Sequence, residues 1–313
     1  MLLKNMICGL RNYFKNTYNN NVDAQYLSIL TNIIANGTRK ENRTGIATYS
    51  IPHQHMSFDL SKEFPLLTSK FVGLKTATKE MLWIWQDKSN DVNLLNKKYG
   101  VKIWNEWKRT DGTIGKAYGY QLAKQYKYFD VNAENAFKLK KDGKISDYRV
   151  GKNGEVYMDQ VDKLIYDLHY NRDSRRMVVS LWNVEDLNDM ALQPCAFLTE
   201  WNVTDGKLHC LLNIRSNDWL IGNPYNIAQY AMLVLVLAKT SDLKPGKFTV
   251  MISDCHVYEN HLKGAVQQLA NKTYALPKVT LKEGFDSFYD FDADCFEVKN
   301  YKHSGKIEFE VAI

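Results

Sequence analysis

The chain has 313 residues, 45% apolar and 12% aromatic, with 41 Lys+Arg against 35 Asp+Glu for a formal charge of +6. That length supports one large core or two ordinary ones, and the mild basic excess suits a phosphorylated substrate but is too small to mark a nucleic-acid protein by itself. The five cysteines (Cys8, Cys195, Cys210, Cys255 and Cys295) show no CxxC pair and no zinc-finger spacing, which argues against a disulfide framework and for a reduced, cytoplasmic protein.

The opening MLLKNMICGLRNYFK interrupts its apolar residues with lysine and arginine, so no signal peptide is expected. Residues 1–25 read as an Asn-rich leader that ends at NNNVDAQ. From Tyr26 the spacing in YLSILTNII predicts a helix that stops at Asn36-Gly37, a C-cap pair. TATKEMLWIWQ predicts a second apolar-faced helix and sets Glu80 among Met81, Leu82 and Trp83. A carboxylate there is either a surface group at the helix edge or a buried, tuned acid.

Residues 126–157 change character. KLKKDGKISDYRVGKNGE is charged, Gly-rich and weak in helical periodicity, and predicts a peripheral insertion of hairpin type rather than a domain. Helical spacing returns in MDQVDKLIYDLHYN. Alternation in MVVSLWNV, FLTEWNVTDGKLHCLLNIRS and KFTVMIS predicts strands, with Asp205-Gly206 as a hairpin turn. NPYNIAQYAMLVLVLAK supplies a central helix whose apolar run, Ile227 to Ala238, is too short to span a bilayer. No internal repeat is present. Strands and helices mix without strict βαβ alternation, so the predicted fold class is α/β (α+β): a mixed twisted sheet flanked by helices.

Among side chains able to do chemistry, Cys195 follows Pro194 at the start of a strand pattern, where proline stiffens the approach. Taken alone it reads as a packed, inert thiol rather than a nucleophile. Arg175-Arg176, Arg215 and Arg43 offer planar forks suited to phosphate, and guanidinium groups beside a thiol favour thiolate; on spacing alone the arginine pair reads as a solvated strand edge. Asp254, Cys255, His256 and His261 lack the helical HExxH arrangement, so no metal site is expected.

Read together, the strings ENRTGIATYS, FPLLTSK, KEMLWIW, IWNEW, GKAYGYQ, DSRRMVVSLWN, MALQPC, DGKLHC, RSNDWLIGNPYNIAQYA, DCHVYENH and the terminal EVAI resemble the thymidylate synthase family, in family order from about Tyr26 to Ile313. WIWQDKSNDVN and IRSND with GNP look closer to a minority bacterial or phage branch. The resemblance implies one catalytic domain over 26–313, interrupted by the insertion, and a homodimer that packs sheet to sheet. It implies reductive methylation of dUMP with 5,10-methylenetetrahydrofolate as co-substrate and no metal. Cys195 would be the thiolate that adds to the sixth ring carbon and makes the fifth nucleophilic.

The same resemblance assigns dUMP phosphate to Arg43, Arg175, Arg176 and Arg215 with Ser216, the arginine pair reaching from the second subunit. It assigns the neighbouring Asn217 to the substrate site and the 3′-hydroxyl to His256 and Tyr258, otherwise a buried hydrogen-bonded pair. Asn226 would donate to the uracil carbonyl and accept from ring N–H, whereas an Asp would suit cytosine; its bland alternative is a helix cap. Glu80 would be the acid/base, with its pKa raised by desolvation, and Tyr118 the group for the C5 proton. The folate would stack on Trp104, touch Ile103, Trp107, Leu192, Ile221, Gly222 and Tyr225, and bond its pterin to Asp218; Trp, Ile and Leu are otherwise ordinary core residues. Val311, Ala312 and Ile313 would form a closing lid.

Some positions depart from the family pattern. Ala196 stands where His usually follows the nucleophile, Glu200 and Ile214 where Gln is usual, and Gly73 where His often follows Lys70. The same strings are compatible with two rival functions: a dUMP hydroxymethylase on the same fold, and a non-catalytic nucleotide- or RNA-binding relative.

Overall fold

The computed structural model describes residues 18–310. Cys8, most of the expected leader, and the expected lid Val311–Ile313 with Ala312 lie outside them. Helix α1 (Asn21–Asn36) begins before Tyr26, because Asn20 caps it by accepting the Asp23 N–H at 2.7 Å. Asp23 is fully buried and accepts the Thr68 and Ser69 N–H groups, each at 3.0 Å, which pins the end of the supposed leader into the core. Gly37 does end α1, but its φ is −60°, so left-handed freedom is not the reason for glycine. A Cβ there would lie 2.3 Å from the Ile33 carbonyl oxygen, so the requirement is close approach.

The main sheet contains β1 (Thr38–Lys40), β2 (Thr48–Asp59), β6 (Val178–Ser180), β7 (Ala196–Thr204), β8 (Lys207–Ile214), β9 (Asn217–Asp218) and β10 (Lys244–Tyr258). Its order is β1-β2-β10-β8-β7-β6, with β9 also on β10; β10 runs parallel to β8 and β9, and the other neighbours are antiparallel. The mixed sheet flanked by helices is therefore present. Asp205 and Gly206 both take positive φ (51° and 68°), as a two-residue turn between twisted strands requires.

β8 shows the burial logic: Leu208, Cys210, Leu212 and Ile214 face the core, while His209, Leu211 and Asn213 are half-buried on the other side. Helix α6 (Gly222–Thr240) packs on β8 and β10, and α1 on β2 and β10. Helix α2 (Leu74–Met81) packs on α6 and continues as a π-helical turn, Leu82–Gln86, whose Trp83 and Trp85 are both buried.

The insertion is more than a hairpin. It holds β3 (Tyr126–Tyr128), helix α4 (Ala133–Lys141), β4 (Arg149–Val150) and β5 (Val156–Met158), with the strands in the order β3-β5-β4. Helix α4 eluded its weak periodicity because only Ala136 and Leu139 are buried along it. Asp162 on α5 (Gln160–Tyr170) ties the segment down by accepting the Ser146 and Asp147 N–H groups, each at 3.0 Å.

Candidate active site

Cys195 immediately precedes β7, half-buried, and its backbone is held from two sides. Its N–H donates to the Tyr118 hydroxyl at 3.2 Å, and its carbonyl accepts the Arg215 N–H at 3.0 Å. The Arg215 guanidinium donates to the carbonyls of Pro194 (3.0 Å) and Gln193 (2.8 Å) and lies over the Trp182 ring. Arg215 therefore fixes the Pro-Cys approach as well as adding charge. Tyr118 sits just before α3 (Gly119–Ala123) at φ 47° and ψ −106°, a conformation that is costly without surrounding support.

Burial pushes the Cys195 thiol up; Arg215 and Arg43 pull it down and Asp218 adds to the rise, with burial prevailing. The expectation that the arginines would leave this thiol depressed is thus corrected. Desolvation of the thiolate costs more than two partly solvated guanidinium groups return.

Glu80 resolves the other way from a surface edge. It is buried on α2, accepts from Trp104 Nε1 at 2.6 Å and from the Gln229 side-chain amide, and is pushed up to about 7 by desolvation against those two bonds. Beside it is a cavity of about 60 Å³ shared with Tyr118, Ala196, Asn226 and Gln229. Asn226 is not a helix cap. It lies inside α6, and its Oδ1 accepts from Asn217 (3.1 Å), whose own Oδ1 accepts from Asn223 (2.6 Å).

Asp218 accepts the N–H groups of Leu220 (3.0 Å) and Ile221 (3.1 Å), shaping the turn into α6. His256 and Tyr258 share one face of β10, their rings 5.4 Å apart, and His256 Nδ1 meets Asp254 Oδ1 at 2.8 Å. Asp254 also accepts from Ser50 at 2.7 Å. Burial pushes the Tyr258 phenol up, and the charges of Asp218 and Cys195 add to the rise while Arg43 opposes it. Ser216 is half-buried in the link between β8 and β9.

Of the other expected residues, Trp104 belongs to this site through its bond to Glu80, and most of the rest lie apart from it. Arg175 and Arg176 are exposed, and Arg176 lines a separate cleft with Lys127, Asp130 and Lys163. Trp104 is buried edge-on to Tyr118 and Trp107, with centroid distances of 5.1 and 5.5 Å, while Ile103 is exposed. Ile221 and Tyr225 line a larger cleft of about 730 Å³ together with Lys70, Phe71 and Phe309. Leu192 and Gly222 are half-buried and do not line it. Gln229, Lys70 and Asp254 were not assigned from sequence. Gln229 had one available signal, a lone amide in the apolar run of α6.

The thymidylate synthase family model matches residues 24–313. The chain belongs to the thymidylate synthase family. It is 43% identical to the thymidylate synthase of Clostridium beijerinckii over 93% of this chain and 98% of that protein. It is 41% identical to the enzyme of Bacillus phage phi3T, over 93% and 99% of the two chains. Among solved structures, thermostable thymidylate synthase A from Bacillus subtilis matches with a TM-score of 0.80 and 41% identity, covering 93% of this chain and 99% of that one. These three relatives come from two bacteria and a phage. Among the described residues no helix is long and apolar enough to cross a membrane.

Proposed function

We propose that this thymidylate synthase family member converts dUMP to dTMP through a covalent bond from Cys195. The observation that carries the reading is the held cysteine: its backbone is fixed by Tyr118 and Arg215, with Glu80 in the adjoining cavity. Bonding of Sγ to ring C6 moves the electron pair of the C5–C6 double bond onto C5, which becomes the nucleophile. Arg215 and Arg43 stabilise the thiolate, and the substrate phosphate would join Arg43, Arg215 and Ser216. Asn226, braced by Asn217, would read the uracil edge, and His256 with Tyr258 the 3′-hydroxyl. Glu80, with a pKa near neutrality, suits proton relay at the ring carbonyl. Tyr118 would take the C5 proton, and expulsion of Sγ would then restore the C5–C6 double bond.

When bound, 5,10-methylenetetrahydrofolate would supply the one-carbon unit and then a hydride, leaving as dihydrofolate. The larger cleft fits such a ligand: apolar walls from Leu66, Phe71 and Ile221 carry an aromatic body, and Lys75, Lys282 and Lys306 suit its carboxylates. Ile103, Trp104, Trp107, Leu192, Gly222, Tyr225, Asp218 and Ala312 keep the folate roles that the resemblance implies. A free thiol nucleophile suits a reduced, cytoplasmic setting.

A homodimer is part of the reading. The outer sheet face leaves Val178 (47%) and Met251 (44%) exposed, which suits packing against a second copy, and Arg175 and Arg176 are exposed as well, free to serve the partner's phosphate site as the resemblance implies. The hydroxymethylase reading is not favoured, since the named relatives are thymidylate synthases. Incubation with 5-fluoro-dUMP and methylenetetrahydrofolate should give a covalent ternary adduct by mass spectrometry, lost in Cys195→Ser. A folded wild-type protein that forms no adduct refutes the mechanism.

A further inference from the structure

The Glu80 carboxyl is held by donors from two different elements. Trp104 Nε1 bonds Oε1 at 2.6 Å, and the Gln229 side-chain amide bonds Oε2 from α6, 149 positions along the chain. One donor alone leaves a carboxyl free to turn about its last torsion; a second on the other oxygen removes that freedom. Gln229 is 5% exposed, so its amide is committed inside the protein. It follows Asn226 by one helical turn, so the same face of α6 presents both side chains to the same cavity.

We propose that Gln229 is the positioning residue for Glu80, clamping its carboxyl toward the cavity beside Ala196. This rests on the reading of Glu80 as the acid/base. At position 196 the methyl side chain offers no hydrogen-bonding group to that cavity, whereas Gln229, which also lines it, brings an amide from α6. The helix thus supplies a polar contact that the strand does not. The titratable groups facing Glu80 are the phenols of Tyr118, Tyr225 and Tyr230, on the segment before α3 and on α6. Among the described residues lining the cavity, Glu80 is the only one whose side chain carries a full charge. An N–H donor to a carboxylate favours its ionised form, so Gln229 opposes the desolvation that raises this group.

The test replaces Gln229 by Met, which keeps length and packing but has no N–H. Infrared titration of the free protein follows the carboxyl stretch of Glu80, assigned by its loss in Glu80→Gln. The midpoint should rise by about 1–2 pH units in Gln229→Met, the loss of one charge-assisted bond. The matching limb of the kcat profile should move with it, while the KM for dUMP stays within about twofold. An unmoved infrared midpoint, with kcat lowered equally at every pH, overturns the proposal and leaves Gln229 a packing residue. Should Gln229→Met fail to fold, Gln229→Asn, which keeps an amide but withdraws it from reach, is read the same way. The infrared measurement needs no turnover. A wild-type protein that makes no dTMP therefore refutes the functional reading without deciding the clamp.

Discussion

Glu80→Gln should make the protein's stability less sensitive to alkaline pH. The Glu80 carboxyl is pushed from 4.5 to about 7 by burial, so the folded chain binds its proton more tightly than the unfolded chain does. Such a group contributes most below its unfolded pKa, and the contribution disappears as pH rises through the folded value. Between about pH 5.5 and about pH 8.5 the linkage removes roughly 2 kcal/mol from the wild-type protein. Glu80→Gln has no proton to lose, and the Gln229 amide can turn its oxygen toward the new carboxamide. Urea unfolding, followed by tryptophan fluorescence at one protein concentration, gives the stability of each protein at both pH values. The difference should shift toward the variant by roughly 2 kcal/mol over that range, since other titrating groups are common to both. Curves that stay parallel across the range would mean that Glu80 titrates as an ordinary surface carboxyl, and its placement as a desolvated acid would be wrong.

Asn226→Asp should lower kcat/KM for dUMP by roughly 10–100-fold, as one buried pairing is lost, and raise turnover of dCMP; competition assays with both nucleotides measure the switch. Gly37→Ala should cost about 1–3 kcal/mol in thermal unfolding, because the added carbon meets the Ile33 carbonyl at 2.3 Å; a neutral result would show that the end of α1 yields.

The sequence by itself determined the parts that follow from local periodicity and ordered motif strings. The Asp205-Gly206 hairpin, the buried α6 and the helix that carries Glu80 were all legible, because turn chemistry and side-chain period act over a few residues. Strand β2 was missed, since TYSIPHQHMSFD mixes proline and histidines into a strand whose place is fixed by pairing with β10. The helix in the insertion was missed for want of a broad apolar stripe.

The folded structure alone decided the state of the site. Whether Glu80 was an edge residue or a tuned acid depended on Trp104 and on Gln229, which are remote in the chain. Whether the arginines or burial governed the Cys195 thiol depended on how much water each keeps. Desolvation and hydrogen-bond pairing are properties of neighbours in space, so a residue's type can nominate it for chemistry while only packing sets its charge.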